Sequence, residues 1–198
     1  MEKLYFPETY GLVLCGGNSR RMGKDKSLLK YYDKPQRYHL YDMLLPFCEK
    51  IFISCNAVQV NGIEDGYSFI EDTAVYADIG PMAALISAFI KFPKKNILLI
   101  GCDYPFLNAA ELQQFLGCCK QMPAAFYNEP ANVYEPLLAW YPTSSFTVLK
   151  EMLQGKKNSL QQFLKNAGAV KYYPQNKNSI TSIDTIEGFN EVTTVLKP

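Results

Sequence analysis

Apolar positions along this chain follow two rhythms. Short unbroken runs, each closed by glycine or polar residues, occur at 11–15 (GLVLC), 51–55 (IFISC) and 96–101 (NILLIG). Such runs have no polar face and predict buried parallel strands covered on both sides. Weaker strand candidates are 124–127, 136–141 and 169–173. Between the runs, apolar residues recur at helical spacing. Met82, Leu85, Ile86, Phe89 and Ile90 share one face of a helix over 80–92. Leu112, Phe115, Leu116 and Cys119 do the same over 108–120, with Asn108 as N-cap and Glu111 three residues on. Asp184 and Glu187 repeat that cap spacing ahead of Phe189, Val192 and Leu196. Alternating strands and helices predict an α/β fold, a doubly wound, mostly parallel sheet with helices on both faces. Ligands on such sheets bind beyond the carboxyl ends of the strands. The loops after Cys15, Cys55 and Gly101 are therefore where chemistry is expected.

Composition narrows the field without changing that picture. The chain has 198 residues, 48% of them apolar and 20% charged, which is enough for one α/β domain with its own core. The formal net charge of +1 gives no bulk field to recruit nucleic acid or an anionic membrane, so neither is expected as a partner. Six cysteines and a single histidine, with no CxxC spacing, argue against a zinc site. The opening MEKLYFPETY has no signal-peptide core, and no apolar run reaches the ~18 residues of a membrane span. A soluble, cytoplasmic protein with free thiols is the expectation.

The first strand ends at Gly16-Gly17, followed by Arg20, Arg21, Lys24, Asp25 and Lys26. Paired glycines let backbone N–H groups approach a ligand with no Cβ in the way, and successive N–H groups form an anion-binding hollow. Guanidinium and ammonium groups close by match phosphate oxygens. A triphosphate cradle is preferred on this spacing over a tight turn with a solvated basic loop. It is neither a Walker A loop nor a dinucleotide fingerprint. Gly17 and Gly23 have five residues between them, and Asn18-Ser19 follow Gly17. Asp103 follows the apolar run 96–101 and stands at a strand's carboxyl end. The residues alone leave two roles open for it: a Mg²⁺ ligand against phosphate oxygens, or a turn or cap residue near Pro105. His39 and Trp140 read as packing residues.

At this point a resemblance enters. LCGGNSRRMGKDKSLL at 14–29 resembles the LxGGxSxRMGxDKxLL motif of the MobA-type molybdenum cofactor guanylyltransferases, which have the nucleotide-diphospho-sugar transferase fold. GPMAAL at 80–85, CDYPFL at 102–107, YEPLLAWYP at 134–142 and SIDTIEGF at 182–189 are similar to further segments of that family, in its order. The resemblance implies transfer of GMP from GTP to the terminal phosphate of Mo-molybdopterin, with release of pyrophosphate. It implies Mg²⁺ on Asp103, Lys26 and Arg21 clamping the triphosphate, and the nucleotide held at Leu14, Cys15, Gly16 and Gly17. Asp72 matches the guanine contact, with Asp78 a nearby competitor. Ser54 stands where the family has a nucleotide-contacting Asn, and Asn56 falls at its second Asn. The implied partners are GTP, a molybdopterin-type acceptor and, in transient contact, proteins of molybdenum cofactor biosynthesis or use. Other departures are Ala84 for Gly, Glu135 for His, Ser182 and Asp184 for two Asn, and Ile186 for Pro. Two alternatives stand beside this reading. One is a cytidylyl- or sugar-nucleotidyltransferase on the same fold. The other is a GTP-binding module without turnover.

Overall fold

The computed structural model describes residues 6–15, 25–76 and 79–196. Seven strands form one sheet in them: β1 (Phe6–Leu14), β2 (Cys48–Cys55), β3 (Phe69–Glu71), β4 (Asn96–Gly101), β5 (Ala124–Asn128), β6 (Val133–Tyr141) and β7 (Val170–Tyr172). Their order across the sheet is β3-β2-β1-β4-β6-β5-β7. The pairs β1–β2, β1–β4, β2–β3 and β5–β7 are parallel, while β6 runs antiparallel to both β4 and β5. The expected mostly parallel sheet is therefore present, with one reversed strand inside it.

Alternate residues of the central strands feed two cores. From β1 and β4, Val13, Leu98 and Ile100 point to one face, and Tyr10, Leu12, Ile97 and Leu99 to the other. On the first face lie α1 (Gln36–Leu44) and α4 (Ala109–Gly117), packed through Leu40, Leu44, Leu112 and Phe115. On the second lie α3 (Pro81–Lys91), α5 (Ser145–Gln154) and α6 (Leu160–Asn166), packed through Met82, Leu85, Phe89, Leu149 and Phe163. Burial on both faces explains why these strands read as unbroken apolar runs. It drives the fold, since each buried Leu, Ile or Phe side chain contributes about 1.5–3 kcal/mol.

The helix ends follow local chemistry. Asn108 caps α4, its Oδ1 accepting from Glu111 N–H at 2.9 Å. Gly80 precedes α3 with φ of 66°, a value costly for any residue with a Cβ, and Pro81 follows in the first turn. The C-terminal helix α7 runs Ile186–Leu196. Its N-terminal hydroxyl comes from Thr185, which accepts from Gly188 N–H at 3.1 Å. Asp184, expected to begin this helix as its cap, is turned to another task described below. A third apolar cluster docks α7: Ile183 and Val192 pack with Tyr31, and Phe189 and Phe106 close around them.

Trp140 is buried, with its indole N–H 3.4 Å from Thr9 Oγ1, and His39 stacks on Tyr32 at 4.0 Å. Both are packing residues, as the sequence suggested. All six cysteines are free thiols. No helix among the described residues is long and apolar enough to cross a membrane.

Glu111 supports more than the cap. Its carboxylate accepts from Tyr172 O–H at 2.6 Å and from the backbone N–H groups of Gln175 and Asn176 at 2.9 and 3.0 Å. It lies only 4% exposed and ties α4 to the chain that leaves β7. Glu111→Ala would leave the buried Tyr172 hydroxyl and two backbone N–H groups without this acceptor. A loss of roughly 2–4 kcal/mol of unfolding free energy is expected in urea titration. An unchanged midpoint would mean that solvent replaces the carboxylate.

Candidate active site

The parallel register aligns the strand ends on one rim. Leu14 pairs with Ser54 on β2 and with Gly101 on β4. One residue further, Cys15 N–H donates to Ser54 O at 3.3 Å and Cys102 N–H to Leu14 O at 3.2 Å. Leu14, Cys15, Ser54 and Cys102 are thus assembled by backbone pairing, and Asp103 follows Cys102 in the chain. The expected nucleotide-cradle residues Gly16, Gly17 and Arg21, with Arg20 and Lys24, lie outside the described residues, as does Asp78. The neighbouring Cys15 thiol and full burial push the Cys102 thiol well above its ordinary value.

Two side chains from the β2–β3 edge come together. Ser54 Oγ donates to Asp72 Oδ1 at 2.5 Å, and Asp72 N–H donates to Cys55 O at 2.9 Å. Burial raises the Asp72 carboxyl above its ordinary value, and the Ser54 hydrogen bond pulls it partly back. Asn56 is used locally: its Oδ1 accepts from Val58 and Gln59 N–H and caps α2 (Ala57–Val60). That helix has a second role. Gln59 Nε2 donates to Asp25 Oδ2 at 2.7 Å, while Asp25 Oδ1 accepts from Ser27 N–H at 2.9 Å. Buried Arg37 of α1 donates to the Gly62 carbonyl, which fixes the chain just beyond α2. Asp25 is therefore locked, and Lys26 beside it points from a fixed base.

Asp103 sits one residue past the rim. Gly101 makes room for it: a Cβ at Gly101 would lie 2.5 Å from Asp103 Oδ1 and 3.1 Å from Leu137 Cβ. Asp103 Oδ2 accepts from Ser182 O–H at 3.0 Å, and its carbonyl accepts from Ile183 N–H at 2.9 Å. Lys26 Nζ pairs with Asp184. Segment 182–184 thus bridges Asp103 and Lys26, two groups 77 residues apart in sequence (103 − 26). On the far side, Tyr104 O–H donates to Glu135 Oε2 at 2.9 Å, and Asn128 Nδ2 lies 3.5 Å from Oε1. Burial raises the Glu135 carboxyl, with the Asp103 charge adding to it.

Of the residues that the sequence nominated, the structure brings Lys26 and Asp103 together through segment 182–184, and Ser54 together with Asp72. Sequence reasoning missed Gly101, Gln59 and the use of Asp184. A glycine two positions before a strand-end aspartate was the available signal for the first. A separate hollow of about 340 Å³ lies between the β5–β6 turn and α6, lined by Tyr127, Tyr134, Lys165 and Lys171 among others. It holds none of the expected residues.

A family model described as the MobA-like NTP transferase domain matches residues 11–171. The chain belongs to that family. It is 28% identical over 189 residues to the molybdenum cofactor biosynthesis bifunctional protein of Synechocystis, covering 92% of this chain but 53% of that one. The chain thus spans about half the length of that relative. It is 27% identical to the molybdenum cofactor guanylyltransferase of Pseudomonas putida, covering 80% of this chain and 83% of that one. Among solved structures, the molybdopterin-guanine dinucleotide biosynthesis protein A of Archaeoglobus fulgidus superposes with a TM-score of 0.75 at 19% identity, over 94% of this chain and 97% of that one. A CMP:2-keto-3-deoxy-manno-octonic acid synthetase complexed with CTP superposes with a TM-score of 0.70 at 13% identity, over 96% and 98%. These two likenesses establish the shared fold. Membership in the NTP transferase family makes the chain a nucleotidyltransferase.

Two expectations follow for the site of this family member. Gly101→Ala should push the Asp103 carboxylate aside. That overpacking should lower the unfolding free energy by roughly 1–3 kcal/mol in urea titration; an unchanged midpoint would mean that Asp103 and Leu137 give way at no cost. The second concerns pH. Burial raises the folded-state Asp103 carboxyl, although its own backbone N–H, Ser182 and Lys26 pull it down. A raised carboxyl binds its proton more tightly in the folded state, so its ionisation costs stability as pH rises through that window. Asp103→Asn should therefore melt higher than the parent at pH 7. The gain should shrink as pH falls toward the ordinary carboxylate range near ~4. A gain that grows on acidification would contradict the sign.

Proposed function

We propose that this chain transfers GMP from GTP to the terminal phosphate of a Mo-molybdopterin acceptor. An acceptor phosphate oxygen forms a bond to the α-phosphorus of GTP, the bond from that phosphorus to the bridging oxygen breaks, and pyrophosphate leaves. The acceptor phosphate is already ionised, so no general base is required. Catalysis then rests on positioning and charge stabilisation.

The observation that carries the reading is the convergence of Lys26 and Asp103 on one rim, held by the same short segment. Lys26 would clamp the triphosphate, and Arg21 and the amides at 14–17 would complete the cradle. The donor set suits Mg²⁺, a hard cation that accepts one or two carboxylates and shares its remaining positions with phosphate and water. Among the described residues no group of three or more His, Cys, Asp or Glu side chains converges as a metal cage. Asp103 would hold the ion, which when bound offsets charge on the phosphates. Asp72, kept in place by Ser54, is suited to accept from the N1–H and N2–H₂ donors of guanine. Glu135, fixed by Tyr104 and Asn128, would face the acceptor. The name of the relative from Pseudomonas putida supports the same chemistry, and that of the relative from Synechocystis supports a place in molybdenum cofactor biosynthesis.

The test is pyrophosphate release from GTP in the presence of Mo-molybdopterin and Mg²⁺. Lys26→Ala and Asp103→Ala should each lower turnover by about 10²–10³-fold. Turnover untouched by both changes would refute the mechanism. A preference for CTP would move the chain to the cytidylyl branch of the fold.

A further inference from the structure

The pairing of Lys26 bears on how the site behaves before substrate arrives. We propose that Asp184 is an internal stand-in for a substrate phosphate: it holds the Lys26 ammonium when no triphosphate is bound and gives it up when one enters. This inference rests on the triphosphate role given to Lys26 above.

Three observations carry it. First, the Lys26 side chain is 18% exposed and that of Asp184 is 55% exposed. The ammonium is set among protein atoms while its partner stands half in water. Asp184 is therefore the member that can leave at little cost. Second, the chain just before Asp184 is anchored. Ile183 is 7% exposed against Tyr31 and Val192, and its N–H is bound to the Asp103 carbonyl. Release therefore needs rotation of one short side chain and no movement of segment 182–184. Third, the partner is a carboxylate: an amide could accept a hydrogen bond from Lys26 but could not neutralise it, so the charge is what makes Asp184 a competitor for a phosphate.

The consequence is an affinity penalty. A ligand that needs free Lys26 binds with its intrinsic affinity reduced by the fraction of molecules in which Lys26 is free. Partly exposed ion pairs are worth little, so the penalty is small, about two- to fivefold.

The test is calorimetric titration with inorganic tripolyphosphate, without metal and in the presence of chelator, which probes Lys26 with no base and no turnover. Asp184→Asn should bind about two- to fivefold more tightly than the parent. In a Lys26→Gln background the same change should give no gain, because the double-mutant cycle isolates the pair. Equal gains in both backgrounds would overturn the proposal and assign the effect to general charge repulsion. Weaker binding by Asp184→Asn would also overturn it, because Asp184 would then be positioning Lys26 for the ligand. Binding by neither protein would remove Lys26 from triphosphate recognition altogether. The base and acceptor are separate questions: loss of GTP preference over CTP would refute the guanylyl reading and leave this inference standing.

Discussion

Everything at this site depends on the parallel pairing of β1 with both β2 and β4. Parallel strands end on the same side of the sheet. Because β1 has a neighbour on each side in matched register, Leu14, Ser54 and Gly101 arrive at one level. No side-chain interaction is needed to place them. The cost of the arrangement is that all three strands must be covered on both faces, and the two cores supply that cover. A one-residue slip in β1 would exchange Val13 with Leu12 between those cores and move the rim with them. The register is therefore fixed by packing, and the site inherits its precision from the core.

The reversed strand β6 adds what a purely parallel sheet cannot. Running antiparallel to β4, it begins at the rim where β4 ends, so Glu135 stands beside Asp103 and Tyr104. Segment 182–184 then crosses the opening, held by the cluster of Tyr31, Ile183 and Val192. Asp103 then has Glu135 on one side, through Tyr104, and the Lys26–Asp184 pair on the other. Burial raises the carboxyls of both Asp103 and Glu135, with a lesser push on Asp103 from Asp184 and on Glu135 from Asp103. Carboxyls raised in this way cost stability once pH rises through their titration range.

The strands at 96–101 and 11–15 and the helices at 80–92 and 108–120 were legible because each is buried in a simple way. Strands covered twice show no polar face, and helices covered once show a clean apolar stripe. Elements that break those rules were not visible. Strand β3 has three residues, too few for any period. Helix α1 buries Gln36 and Arg37 alongside Tyr38 and Leu40, so its inward face does not read as apolar. The amphipathic helices α5 and α6 lie among polar residues that masked their stripes. At the candidate site, Lys26, Asp72 and Asp103 were nominated through family resemblance, and Asp103 also through its position after a strand. The bridge through Asp184 joins residues 158 apart in sequence, and local pattern carries no trace of such a contact. Asp184 was instead expected to begin α7, a role that Thr185 takes one position later.

The central claim is that a nucleoside triphosphate binds on the rim formed by the ends of β1, β2 and β4. Hydrogen–deuterium exchange with and without GTP and Mg²⁺ tests it most directly. The account predicts slowed exchange at the backbone amides of residues 14–17, 54–56, 72 and 101–104. Protection confined to the β5–β6 turn and α6, around the hollow lined by Tyr127 and Lys171, would contradict it.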